Sequence, residues 1–92
     1  MNETIMIPEN FAVDEATVLR ERMLNMVQNG KKDLLLDFSR CSFIDSTGLG
    51  VLVSIYKRTC ENRGTFKLQG VNENVMKIFK LTRLDKVFEI NN

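Results

Sequence analysis

The stretch "DLLLDFSRCSFIDSTGLGVLVSIYKR", residues 33–58, joins two hydrophobic patterns. Residues 33–38, "DLLLDF", are a continuous apolar run bounded by polar turns, which reads as a strand buried on both faces. From Ser46 to Asn62 the spacing becomes helical. Leu49, Leu52, Val53, Tyr56 and Cys60 share one side, and Val51 and Ile55 widen the stripe to about half the circumference at about 100° per residue. Between strand and helix lie the connection "SRCSFI" and the group Asp45-Ser46-Thr47-Gly48-Leu49-Gly50.

The flanks repeat this alternation. "TIMIP" is a short strand ended by Pro8, which cannot donate to a ladder, and "ENFAV" is a connection. From Asp14, the residues Ala16, Leu19, Met23, Met26 and Val27 recur at helical steps, with Val13, Arg20 and Leu24 near the same side and Val18 pointing away. Asn29-Gly30 stops this helix, and "NRG" stops the next one at Gly64. "TFKLQG" alternates as a half-exposed strand does. Asn72 caps a third helix carrying Val75, Ile78 and Phe79, and "DKVFEI" reads as a last strand. Strands alternating with crossover helices predict a single α/β domain over residues 1–92, with a largely parallel sheet of about four strands and about three helices packed on it. In such sheets ligands and partners meet the loops at the C-terminal strand ends, where the loop from Phe38 to Ser46 lies.

Composition narrows the function. The chain has 92 residues, 43% of them hydrophobic and 27% charged, with a formal charge of +1. That balance lacks the basic excess of a nucleic-acid binder; Lys77, Lys80 and Arg83 read as a solvated helix face. No secretory signal opens at Met1 and no apolar run approaches the ~18 residues of a membrane span, so the chain is expected in the cytoplasm. Cys41 and Cys60 form no CxxC pair and are expected as buried thiols. There is no histidine. Without it neither a Ser-His-Asp nor a Cys-His nucleophile is available, and two cysteines cannot complete a zinc site. No metal and no cofactor is implied.

Asp45 or Ser46 can cap the helix by accepting a backbone N–H two or three residues on. Capping leaves Gly48 and Gly50 unexplained, since a helical glycine costs about 0.5–1 kcal/mol relative to alanine. Close approach of another backbone, or of a partner, is the expected return. The group is not a P-loop, because no lysine follows the glycines; it is not a nucleophile elbow, because Ile44 stands two residues before Ser46.

"SFIDSTGLGVLVSIYKR" resembles the signature of STAS domains, especially bacterial anti-sigma factor antagonists. "DLLLDFSRCSFIDSTGLG" resembles that family's buried strand and loop, and "FKLQGVNENVMKIFKLTRLDKVFEI" its next strand, helix and closing segment. Residues 33–90 carry the resemblance; residues 1–30 match in element order. Arg83 stands where many members have Gly, and the family's usual C-terminal helix is lacking after Ile90. Dimerisation is one way to cover surface that such a helix would leave bare.

The resemblance implies a phosphorylation-switched binding module with no catalytic residues. Ser46 would be the phosphorylation site. The unphosphorylated chain would bind an anti-sigma factor that is also a serine kinase, or a kinase–phosphatase regulator; phosphorylation would release it, and a PP2C-type phosphatase would restore binding. Asp45, Ser46, Thr47, Gly48, Gly50, Val51, Ile55 and Arg58 are the expected partner contacts, with Thr47 also an alternative acceptor and a cap, and Leu49 anchoring the helix. Two rival readings are an accessory subunit of a lipid or anion transport system and a nucleotide-binding enzyme. The intact Asp45-Ser46-Thr47 favours signalling over the first; the second lacks a phosphate loop.

Overall fold

A computed structural model describes residues 2–91. Strand β1 (Asn2–Met6) and the two-residue β2 (Asn10–Phe11) precede helix α1 (Val13–Gln28). Strand β3 (Asp33–Asp37) and the two-residue β4 (Phe43–Ile44) precede helix α2 (Ser46–Glu61). Strand β5 (Thr65–Gln69), helix α3 (Glu73–Leu81), a 3₁₀ turn (Leu84–Lys86) and strand β6 (Glu89–Asn91) complete the order.

Strands β1, β3, β5 and β6 form one parallel sheet in that order. Each crossover advances by one strand in the same direction. With right-handed connections, all three helices must then lie on the same face. Burial along the strands agrees: Ile5, Leu34, Leu36, Phe66 and Leu68 are buried, whereas Thr4 and Met6 are exposed and Leu35 and Lys67 half-buried. This corrects the expectation for residues 33–38, because Leu35 faces away from the helices and only alternate residues of β3 reach the core.

Each helix buries one stripe. In α1 it is Ala16, Leu19, Met23 and Val27; Val13, expected near it, is instead exposed at the helix start. In α2 the stripe runs through Gly48, Val51, Leu52, Ile55 and Thr59, rotated from the expected centre, so Cys60 is exposed while Cys41 is buried. In α3 it is Val75 and Phe79. Phe38, Tyr56, Phe66, Phe79 and Phe88 fill the space between α2, α3 and the sheet with ring centroids 5.3–5.9 Å apart. Among the described residues no helix is long and apolar enough to cross a membrane.

Two helix ends differ in detail from the sequence reading. After α2 the left-handed residue is Arg63, at φ 60°, while Gly64 is needed because Lys32 passes too close for a Cβ. After α3 Arg83 takes φ 62°, the conformation a glycine would adopt without strain. Left-handed geometry costs a non-glycine residue about 1–2 kcal/mol, partly offset by the roughly 0.5–1 kcal/mol of extra freedom glycine brings to the unfolded chain. Arg83→Gly is therefore expected to raise stability by about 0.5–1 kcal/mol in urea unfolding. An unchanged or lower midpoint would show that the arginine side chain contributes more than its backbone strain costs.

Candidate functional site

The chain between β3 and α2 crosses the C-terminal edge of the sheet, and both of its flanks are fixed. On one side the segments read as plain connections pair instead as a two-residue parallel ladder, Asn10 beside Phe43 and Phe11 beside Ile44. The Glu9 carbonyl accepts from the N–H groups of Ser42 and Phe43 at 2.9 and 3.1 Å. On the other side the Asn72 side chain donates to the Cys41 carbonyl at 2.8 Å and accepts from the Val75 N–H at 2.9 Å, so one residue caps α3 and ties it to the loop. At the loop's start Asp37 accepts the Ser39 N–H at 2.9 Å, and that bond is the main reason its carboxyl titrates below the usual range. Burial pushes the Cys41 thiol up, which makes it a poor nucleophile.

Asp45 is the cap of α2. Its carboxylate accepts the Gly48 N–H at 2.9 Å, and its carbonyl accepts the Leu49 N–H at 3.0 Å. Thr47, also expected to cap, does not; it is half-buried in the first turn. With capping assigned to Asp45, Ser46 is left at the first helical position, exposed, its hydroxyl making no hydrogen bond among the described residues. A free hydroxyl at a helix N-terminus is open to a modifying enzyme, and the positive helix end tolerates an added anion.

The two glycines separate. A Cβ on Gly48 would collide with the Phe11 carbonyl oxygen and stand 2.8 Å from Cγ1 of Ile44, so this glycine lets α2 rest on the β2–β4 ladder. A Cβ on Gly50 would meet nothing within 4 Å. Gly50 lies one turn from Ser46 on the exposed side of α2, where only a surface from outside the chain can use its bareness.

The remaining expected contacts also divide. Val51 and Ile55 are 5% and 0% exposed and belong to the core, so they cannot meet a partner; the rotation of the stripe by about a quarter turn toward Gly48 puts them there. Leu49 is half-buried against the core, as expected of an anchor. Arg58 is exposed but lies three turns along the helix, about 18 Å from Ser46 at about 1.5 Å per residue. Sequence reading missed Phe43. It is 51% exposed, three residues before Ser46 and beside the buried Ile44. Two residues leave no period to read; the one signal was the apolar pair Phe43-Ile44 itself, because neighbours on an extended chain face opposite ways and only one of them can be buried.

Comparison with known proteins places the chain. The family model described as "STAS domain" matches residues 4–92, and the chain belongs to that family. Within it the chain is similar to the anti-sigma-B factor antagonist of Bacillus subtilis, at 34% identity over 79 residues, covering 86% of this chain and 72% of the relative. It is also similar to the anti-sigma-B factor antagonist of Staphylococcus aureus NCTC 8325, at 30% over 73 residues, covering 79% and 68%. Among solved structures, a candidate anti-sigma factor antagonist of Thermotoga maritima superposes with a TM-score of 0.88 at 27% identity, covering 97% of this chain and 79% of that one. The unphosphorylated anti-sigma factor antagonist SpoIIAA shares the fold, with a TM-score of 0.81 at 16% identity over 99% of this chain and 79% of that one. The predicted architecture, a small α/β STAS fold with a parallel four-stranded sheet and three helices, is the one observed.

Proposed function

We propose that the chain is a protein-binding module of the anti-sigma factor antagonist type, switched by phosphorylation of Ser46 and catalysing no reaction itself. It works in the cytoplasm. Unphosphorylated, it holds an anti-sigma factor or related serine kinase against the exposed end of α2; phosphoryl transfer from ATP to Ser46 ends the contact, and a PP2C-type phosphatase restores it. The observation that carries this reading is the exposed, unbonded hydroxyl of Ser46 on a loop pinned at Glu9 and Asn72. The relatives' role as antagonists supports the same assignment.

The docking face consists of Asp45, Ser46 and Thr47, the bare backbone at Gly50, and Phe43 at the rim; Arg58 contributes only to a wide footprint. Gly48 serves it indirectly, by seating the helix. The test is incubation with ATP and a serine kinase that binds the chain, followed by mass spectrometry. Phosphate on Ser46 in the wild type, absent in Ser46→Ala, is the expected result; phosphate at Thr47 instead would overturn the assignment.

Phe43 is expected to be an anchor, because buried aromatics dominate interface energies. Phe43→Ala is predicted to weaken the partner complex roughly tenfold or more in calorimetric titration, while thermal unfolding moves little because half of the ring is already in water. Equal affinity of the two proteins would remove Phe43 from the interface.

A further inference from the structure

The sheet has two free edges, and they are unlike. Strand β6 is three residues long and carries Glu89, whose carboxylate pairs with Lys67. Strand β1 is five residues long and, among the described residues, pairs only with β3, so its outer edge is open; like β6 it carries one ion-paired acid, Glu3 with Lys31 at 2.9 Å, and the two edges differ in length rather than in charge. A long open edge is a template for another strand, and short or charged edges are the usual protection against that.

At the C-terminal end of this edge a groove of about 360 Å³ lies between Met6, Pro8 and the flank of α1. Its apolar lining includes Met6 and Val18, which are 45% and 64% exposed. Asp14, Glu15 and Arg22 also line it; Glu15 and Arg22 stand two turns apart on α1 with Val18 between them, and Asp14 adds a second acid at the helix start. Neither Glu15 nor Arg22 has an ion-pair partner among the described residues. Glu15 and Arg22, three and four residues either side of an exposed valine, complement their own arrangement turned end for end.

We infer that this face binds a second copy of the chain about a two-fold axis perpendicular to the sheet. Strand β1 pairs antiparallel with β1 of the partner and extends the sheet to eight strands. The two α1 helices then run antiparallel side by side, Val18 against its counterpart, with Glu15 of each copy facing Arg22 of the other. The spacings are compatible. Helix α1, as the crossover from β1 to β3, lies over that pair; joining two β1 edges separates the α1 axes by two strand spacings, about 9.6 Å, within the roughly 8–10 Å at which helices pack. An isologous interface needs such self-complementarity. The face lies on the far side of α1 from α2, so Ser46 of both copies stays open, and the inference stands apart from the phosphorylation reading.

Sedimentation equilibrium of the full chain from about 1 μM to about 1 mM measures the dimer. Wild type is expected to dimerise in that range. Arg22→Glu and Glu15→Arg each set like charges together twice, once at each end, and are expected to weaken the dimer by roughly 100-fold. The combined variant exchanges the two charges and is expected to return to within about threefold of wild type. Circular dichroism melts of these exposed-site variants verify folding, and Ser46→Asp is expected to leave the dimer unchanged. A wild type that stays monomeric to about 1 mM overturns the inference, as does a dimer indifferent to Arg22→Glu, which would place the contact on another face. A combined variant that fails to recover overturns the two-fold pairing of Glu15 with Arg22.

Discussion

Ser46→Asp is expected to lower affinity for the partner by about 100-fold or more while leaving the fold intact, and Ser46→Ala to bind nearly as wild type. The two halves of this result have separate causes. Ser46 occupies the first turn of α2, where backbone N–H groups point outward and a negative charge is favoured by the helix dipole. Asp45 already holds the capping bond to Gly48, so a second carboxylate displaces nothing. The melting temperature should therefore stay within about 2 °C of wild type, since 1 kcal/mol would move it by about 4–8 °C in a domain of this size. At the interface the same charge has no such welcome. A surface fitted to a neutral hydroxyl must bury a new anion beside Asp45, and unmatched or like charges across an interface cost several kcal/mol. A phosphate, carrying about −1.5 to −2 at pH 7, should act more strongly than the carboxylate. Isothermal titration of the three proteins against one purified partner, with a melt of each, decides the matter. If Ser46→Asp retained full affinity, the switch would have to work by refolding or lie elsewhere; a large loss of melting temperature would likewise contradict an interface mechanism.

The physical split between what the sequence could and could not convey is clearest around this helix. The alternation of short apolar runs with 3.6-residue patterns was enough for the order of strands and helices, because it reports burial directly. The cap was visible too, but only as a choice between Asp45 and Ser46, since both residue types accept an N–H two or three positions on. Which of them is free depends on a bond to Gly48 that geometry alone supplies. The rotation of the α2 stripe, about a quarter turn, was hidden for a related reason. Gly48 and Thr59 are buried but are not apolar side chains, so a hydrophobic count omits them and shifts the apparent centre toward Leu49 and Cys60. Val51 and Ile55 were then read as partner contacts at the stripe edge when both are buried in the core. The β2–β4 ladder, two residues on each strand, is too short to leave a period. The one-sided sheet was hidden because a run such as "DLLLDF" looks the same whether Leu35 meets a second layer of helices or solvent.

The two glycines of the loop, indistinguishable as letters, should respond to alanine with opposite signs. Gly48→Ala is expected to destabilise the protein by about 2–3 kcal/mol, a fall of 10 °C or more in melting temperature. The added methyl would collide with the Phe11 carbonyl oxygen and press on the Phe11 ring at 2.9 Å. A carbonyl held in a ladder cannot swing aside like the end of a long side chain. Relief must come from lifting α2 off the β2–β4 ladder, which shifts Ser46 relative to Phe43 on that ladder, so partner binding should fall as well. Gly50→Ala meets no neighbour and replaces a poor helix former by the best, so it should raise stability by about 0.5–1 kcal/mol. Its effect on binding is the informative part. An exposed glycine inside a helix weakens the free protein, and the bare backbone is of use only to something that packs there. A more stable Gly50→Ala protein with reduced partner affinity is therefore the expected outcome, separating binding from folding at one position. Unchanged affinity would move the docking face off Gly50 and leave Ser46 and Phe43 as its centre, whereas a Gly48→Ala protein as stable as wild type would mean that α2 does not rest on the ladder at all.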